Sequence, residues 1–296
     1  MCIRDSIWSD HPISAAAATV WIQVGVGVFL LVAPRGYWSR TAGAVSAGWG
    51  LVVWVFGEGF GGVFGQGSSW LFGSPGAVPV SYTHLLVTGA VTPRNALGFA
   101  ITLEVVAFAE LWGWVNLLSA VLAISATLFY VFVYTLWLKR TSTQNIVIGG
   151  AAGAVPVLVG WAAVTDSLAW TPVVLFAIIF VWTPPHFWAL AVKYKDDYRA
   201  ANVPMLPAVA TFKRTAMEIF VYSVLLVAVS LLLAGVAKLG VIYIVSASVL
   251  GVVFIALALR LWRRATPKAA MQLFSYSITY LTLLFVLMAV DIFSKH

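Results

Sequence analysis

Charge is what this sequence has least of. Asp, Glu, Lys and Arg make up 9% of its 296 residues, where a soluble globular domain carries about 25%. Hydrophobic residues make up 62%. Such a chain cannot cover a water-facing surface, so a soluble fold is excluded and an integral membrane protein is implied. Cysteine is almost absent as well: the single thiol, Cys2, rules out an internal disulfide framework and any metal site built on cysteines. Acids are rarer than bases, ten against 17, and the first 90 residues hold only Asp5, Asp10 and Glu58. The resulting net charge of +7 does not point to nucleic acid, because the Lys and Arg residues fall in short clusters between long apolar runs.

Apolar runs lie near residues 13–33, 42–56, 93–114, 116–138, 144–164, 170–192, 215–235, 240–261 and 271–291. About 20 apolar residues span the hydrocarbon core as a helix, and these runs are too long for barrel strands. The expected class is therefore all-α: a polytopic transmembrane bundle of about nine helices in a lipid bilayer. Alternating sides across the last seven helices puts Arg94, Lys139, Arg140, Lys193, Lys195, Arg199, Lys213, Arg214, Arg260, Arg263, Arg264 and Lys268 on one side, against Lys238 and Lys295 on the other. That bias makes the loops at 139–143, 193–214 and 262–270 cytoplasmic. The first two runs break the scheme. A simple hairpin would leave Arg35 and Arg40 outside, and the alternative needs a crossing within 57–92, whose glycines and prolines make a poor spanning helix.

The longest polar stretch, TPPHFWALAVKYKDDYRAANVPMLP at 183–207, sets Asp196 and Asp197 among Lys193, Lys195 and Arg199. Two carboxylates can hold Mg²⁺ through hard oxygen contacts, and the bases can neutralise phosphate. A solvated interfacial loop accounts for the same composition, and the residues alone leave both readings open. A second cluster, YTLWLKRTSTQN at 134–145, offers Lys139 and Arg140 as a phosphate clamp, Tyr134 facing a cavity and Asn145 opening the next helix. Snorkelling cations beside cap residues are its plain alternative. His186 follows Pro184 and Pro185, where lost backbone hydrogen bonds are expected to kink the helix. It is either a haem-contacting or proton-carrying group or a packing histidine. Glu104 and Glu110 lie within an apolar helix, where carboxylates usually face the protein interior. The small residues of IVIGGAAGAVPVLVGWAA, 146–163, favour close helix packing and leave room for a flat ligand.

Taken together, VTGAVTPRNALGFAITL (87–103), YTLWLKRTSTQNIVIGGAAGAVPVLVGWAA (134–163), IIFVWTPPHFWALAVKYKDDYRAANVPMLP (178–207) and MQLFSYSITYLTLLFVLMAVD (271–291) resemble the protoheme IX farnesyltransferases, or haem O synthases, of the UbiA superfamily of intramembrane prenyltransferases. The resemblance covers about 85–296 and implies the UbiA-type fold over the last seven helices, in an inner (plasma) membrane with the active-site loops cytoplasmic. It further implies farnesyl diphosphate and protohaem IX as substrates and Mg²⁺ as cofactor. In that frame Asp196 and Asp197 inherit a metal role, Lys193, Lys195, Arg199 and Asn145 bind substrate, and Lys139, Arg140, Tyr134 and His186 line the reaction.

One departure is large. The family carries an N-D-x-x-D-x-x-x-D motif between its second and third helices, and the residues before Leu86 here, SPGAVPVSYTHL, contain no acid. The MCIRDS start and the VSYTHL junction resemble translated sequencing adapter. Residues 1–84 are therefore expected to be foreign to the synthase core at 85–296, and the chain as written is expected to be impaired. Two further readings share the architecture: prenyl transfer to a quinone or other aromatic acceptor, and a small-solute transporter. The latter would show internal repeats, which are not evident between the halves.

Overall fold

The computed structural model describes residues 92–295, so the first two expected helices and the glycine-rich stretch before Thr92 lie outside the described residues. Seven helices there are long and apolar enough to cross a membrane. They are α1 (Pro93–Val115), α2 (Leu117–Thr141), α3 (Asn145–Thr165), α4 (Trp170–Lys193), α7 (Phe212–Val236), α8 (Val241–Arg264) and α9 (Pro267–Phe293). Two short helices, α5 (Lys195–Ala200) and α6 (Leu206–Val209), sit in the connection between α4 and α7. Every regular element among the described residues is a helix, as the apolar runs require.

Local chemistry fixes the helix ends. Asn116 caps α2 by accepting from Ser119 N–H at 2.8 Å, while its amide donates to the Ala162 carbonyl at 2.7 Å and so ties the start of α2 to the end of α3. That end is set by Asp166, whose left-handed backbone (φ 47°) turns its N–H onto the same carbonyl. Thr211 and Thr266 cap α7 and α9 through Arg214 N–H and Ala269 N–H, with Pro267 at the first helical position of α9. Ala265 (φ 47°) closes α8.

Packing centres on α4, which touches α3, α7 and α9, while α8 packs against both α7 and α9. Trp188, Ile219, Leu226, Phe254, Leu273 and Tyr280 form the heart of the core. Hydroxyls buried in this apolar setting need partners. Tyr243 donates to the Ser230 carbonyl at 2.9 Å, Tyr280 to the Ser230 hydroxyl at 2.8 Å, and Ser230 back to the Leu226 carbonyl at 2.8 Å, locking α7, α8 and α9. Gly251 lets α8 approach Val227 on α7, where an added Cβ would lie 2.7 Å from Val227 Cγ1.

At the same end of these helices the Asp291 carboxylate of α9 accepts from Gly240 N–H at 2.5 Å and Tyr243 N–H at 3.2 Å, capping α8 from outside its own chain segment. Lys295 pairs with Asp291 at 3.4 Å and donates to the Lys238 carbonyl at 2.8 Å.

One expectation changes, and it concerns the two acids of α1. α4 runs as continuous helix from Trp170 to Lys193 through Pro184 and Pro185. Both prolines are buried among its packed neighbours, so tertiary contact holds the segment that has lost backbone bonds. Glu104 and Glu110 do not face an interior: the α-helical stretch Pro93–Glu110 buries no side chain, Glu104 is half-buried and Glu110 is exposed.

Candidate functional site

A cavity of about 520 Å³ opens between α2, α3 and α4. Its aromatic walls are Tyr130 and Tyr134 from α2 and Trp182 and Phe187 from α4, and its floor is the small-residue stripe Gly149, Gly150, Ala152 and Gly153 of α3. The geometry of α2 explains the tyrosines. From Phe129 to Leu138 the helix widens to a π-helical pitch, and Lys139 N–H reaches back to the Tyr134 carbonyl. Tyr130 and Tyr134 then stack obliquely, 5.2 Å between ring centres, along the cavity wall. Gly149 makes the seat for Tyr134: an added Cβ would collide with Tyr134 Cδ2 and lie 2.8 Å from its Cε2. Gly150 seats Thr183 in the same way, with Thr183 Cγ2 2.9 Å from an added Cβ. The stripe therefore serves both packing and space for a ligand.

Tyr134 also joins the cavity to the polar end of the bundle. It packs on a small buried group, Ile146, Ala191, Met205 and Ala208, together with Tyr198 and Val203. Beyond it Arg140, Tyr198, Arg199 and Asn202 line a hollow of about 280 Å³, together with the apolar Val203, Pro204, Ala208 and Val209. Burial pushes the Tyr198 hydroxyl above its ordinary pKa, with nearby Tyr194 adding to the rise, so Tyr198 stays neutral and can donate a hydrogen bond. Arg199 is held in place by its Nε donation to the Ala208 carbonyl at 2.7 Å and by its 3.2 Å ion pair with Asp196. Asp196 is mostly solvent-facing at 77% side-chain exposure, and Asp197 is exposed beside it.

The remaining expected residues divide. Asn145 is buried at 1% exposure at the start of α3; its amide donates to the Lys139 carbonyl at 3.4 Å and its side-chain oxygen has no hydrogen-bond partner. Lys139 is exposed, and Lys193 lies 5.2 Å over the Tyr194 ring. Lys195 lines a different hollow, against the start of α7. His186 is not among the side chains lining the aromatic cavity. It turns to α9, stacked between Trp182 (4.1 Å) and Phe274 (4.7 Å), with Nδ1 2.6 Å from Ser277 Oγ. Ser277 gives its own proton to the Phe274 carbonyl at 2.6 Å, so Nδ1 carries the proton in the histidine bond. Trp182 donates to the Ser277 carbonyl at 2.8 Å and completes this knot between α4 and α9.

Tyr130 and Thr183 line the aromatic cavity and Tyr198 and Asn202 the hollow beyond it, and none of the four was singled out from the sequence. The signals were present: Tyr130 lies one turn before Tyr134, and Tyr198 directly follows the two aspartates.

The arrangement, an aromatic cavity with a hollow holding two arginines beyond the packing of Tyr134 and Tyr198, suits an amphiphile with a phosphorylated head. Comparison with known proteins agrees. Residues 79–286 match the UbiA prenyltransferase family. The chain is 54% identical over 204 residues to the protoheme IX farnesyltransferase of Gloeobacter violaceus, covering 69% of this chain and 67% of that protein. It is 54% identical over 207 residues to that of a Parafrankia species (69% and 66%) and 53% identical over 205 residues to that of a Synechocystis species (69% and 65%). The chain thus spans about two thirds of the length of the curated relatives it matches. No solved structure matches. With 208 consecutive residues, 79 through 286, covered by one family, the chain belongs to the UbiA prenyltransferase family.

Proposed function

We propose that the described helices are the greater part of an enzyme that transfers a farnesyl group from farnesyl diphosphate to a vinyl group of protohaem IX, making haem O. The observation that carries this reading is the join at Tyr134, where an aromatic cavity meets a mouth holding Arg140, Tyr198 and Arg199, in a chain over half identical to protoheme IX farnesyltransferases. The diphosphate head sits at the mouth and the prenyl chain and porphyrin lie along the tyrosine and tryptophan walls. The protein is a multi-pass component of an inner (plasma) membrane, with the mouth on its cytoplasmic side.

Ionisation breaks the bond between farnesyl C1 and the diphosphate oxygen, and the electron pair leaves with the diphosphate. Arg140, Arg199 and Lys139 stabilise that departing charge, and the Tyr198 hydroxyl donates a hydrogen bond to it. The haem vinyl carbon attacks the allylic cation, and water adds at the neighbouring carbon to leave the hydroxyl and release a proton. The apolar cavity walls keep other water from the cation.

Asp196 and Asp197 suit Mg²⁺ as hard oxygen donors on one short helix, with diphosphate and water supplying the remaining positions. When bound, the ion would neutralise charge on the diphosphate. In this reading the two carboxylates are one half of a two-sided site, as the family resemblance implies. Residues 1–84 are read as foreign to this core and as lacking the other half. The test is purified full-length chain incubated with Mg²⁺, farnesyl diphosphate and protohaem, with the haems separated by chromatography. It is run beside a chain in which residues 1–85 are replaced by the first two helices and acidic loop of a relative. Haem O from the repaired chain alone supports the reading, and none from either sinks it.

A further inference from the structure

The aromatic cavity closes at the end away from Tyr134. Its lining descends along α2 from Tyr134 to Ala126, along α3 from Ile146 to Gly153 and along α4 from Phe187 to Ile179. Past these residues α2 and α3 come together. Ser119 and Ala120 are fully buried, the Ser119 hydroxyl donates to the Val159 carbonyl at 3.5 Å, and the Asn116 amide donates to the Ala162 carbonyl at 2.7 Å. We propose that this closed end receives the last isoprene unit of the prenyl tail, and that Gly153 and Ala126 set the longest tail the cavity accepts. The assignment rests on the cavity being a prenyl diphosphate site, as proposed for the chain.

The first support is the chemistry of the lining, whose polar groups are spent on carbonyls. Thr127 donates to the Ala123 carbonyl at 3.4 Å, Thr183 to the Ile179 carbonyl at 2.8 Å and Trp182 to the Ser277 carbonyl at 2.8 Å. The closed end therefore presents carbon and no free side-chain donor, which suits a hydrocarbon tail and not the propionates of a porphyrin. Length is the second. From Phe187 to Ile179 is eight residues (187 − 179), or about 12 Å of helix. An extended chain advances about 3.5 Å for every three bonds, so the bonds along a farnesyl chain cover about 13 Å. A geranyl tail would leave the closed end empty, and a geranylgeranyl tail would run into the contact between Ser119 and Val159. Third, Gly153 differs from its neighbours. An added Cβ at Gly149 or Gly150 collides with Tyr134 or Thr183, whereas one at Gly153 meets nothing within 4 Å. Packing does not demand a glycine there, and the space it leaves belongs to the cavity.

The test titrates the full-length chain, in detergent with Mg²⁺, with geranyl, farnesyl and geranylgeranyl thiolodiphosphate. Affinities are read from the rise of the unfolding midpoint. Variants are compared with wild type probe by probe, so partition into the micelle cancels. Farnesyl binds wild type at least about tenfold more tightly than geranyl, because five more carbons leave water, and geranylgeranyl binds no more tightly than farnesyl. Gly153→Leu and Ala126→Leu each weaken farnesyl about tenfold and leave geranyl within about twofold. Gly160→Leu is the control. It also has open space around an added Cβ, lies further along α3 outside the cavity, and leaves all three affinities unchanged. Gly153 and Ala126 variants that keep the wild-type ratio of farnesyl to geranyl affinity overturn the assignment and leave the prenyl reading standing. So does a wild-type chain that prefers geranylgeranyl, or a Gly160→Leu chain that behaves as Gly153→Leu does. A wild-type midpoint indifferent to all three probes overturns the prenyl reading and the assignment together.

Discussion

The two halves of the described bundle are built to different standards. Around α4, α7, α8 and α9 the helices bury whole aromatic side chains and satisfy their hydroxyls across helix boundaries. In α4, 56% of its most apolar 18-residue stretch is buried, against 11% in α2 and none in α1. The aromatic cavity lies on the seam, with α4 on one side and α2 on the other. Stability thus resides in one half, and the site borrows one rigid wall from it. The other wall belongs to a helix whose apolar side chains are mostly exposed.

That contrast is sharpest in function. If the seam lacks one acidic loop, restoring the loop has the largest effect available. Replacing residues 1–85 with the corresponding part of a relative should raise haem O formation by at least about 10²–10³, the usual cost of one missing preorganised electrostatic group. In the repaired chain Asp196→Ala or Asp197→Ala should lower turnover strongly. Full activity in both variants would show that α5 does not carry the metal. Equal activity of the repaired and unrepaired chains would show that the exposed half is already complete.

The same contrast has a stability form. Trp188 is fully buried in the rigid half, and Trp114 is 69% exposed on α1. Trp188→Ala should cost about 3–5 kcal/mol through the cavity it leaves. Trp114→Ala should stay within about 0.5 kcal/mol. Unfolding in mixed micelles measures both, and similar losses would erase the division between the halves.

At the seam itself Gly149→Ala should cost about 1–3 kcal/mol, because the new methyl drives into the Tyr134 ring. Adding Tyr134→Leu should recover part of the loss, a coupling that a double-mutant cycle reads directly. Strict additivity of the two changes would mean that Tyr134 does not rest on Gly149.

Much of this was legible in the sequence, for identifiable reasons. Long apolar runs bounded by charge fixed the seven described spans to within a few residues, because a helix is the only open-ended element whose backbone is satisfied inside a membrane. The polar clusters at 134–145 and 183–207 pointed to Arg140 and Arg199, which the fold brings together, since loops at one end of alternating helices must share a face. The direction of single side chains was not legible. Spacing could not tell that His186 turns to Ser277 on α9 while its neighbour Phe187 faces the cavity. Nor could it separate Lys195 from Arg140, because the short helix α5 points successive residues to different hollows. The π-helical stretch of α2 was equally hidden: nothing in FYVFVYTLWL distinguishes it from an ordinary helix, yet it sets both tyrosines.

The smallest effects compare the two ends of the bundle through their two acids, each paired with a cation on its own chain segment. Asp196 pairs with Arg199 at 3.2 Å while remaining 77% exposed. Asp291 pairs with Lys295 at 3.4 Å, but its side chain is 2% exposed and accepts two backbone N–H bonds from the start of α8. Exposed pairs are screened by water and contribute at most about 1 kcal/mol, so Asp196→Asn should shift stability by no more than about 0.5 kcal/mol. Asp291→Asn puts an amide where two acceptors were, leaving one of the α8 N–H groups without its bond and Lys295 without its partner charge. It should lower the unfolding midpoint clearly more than Asp196→Asn, and Asp291→Ala further still. Hydrogen exchange at Gly240 and Tyr243 gives the independent check, since both amides should exchange faster in the Asp291 variants only. Equal midpoints for the Asn variants, with unchanged exchange, would mean that α8 is held by its packing alone and that the carboxylate cap contributes nothing.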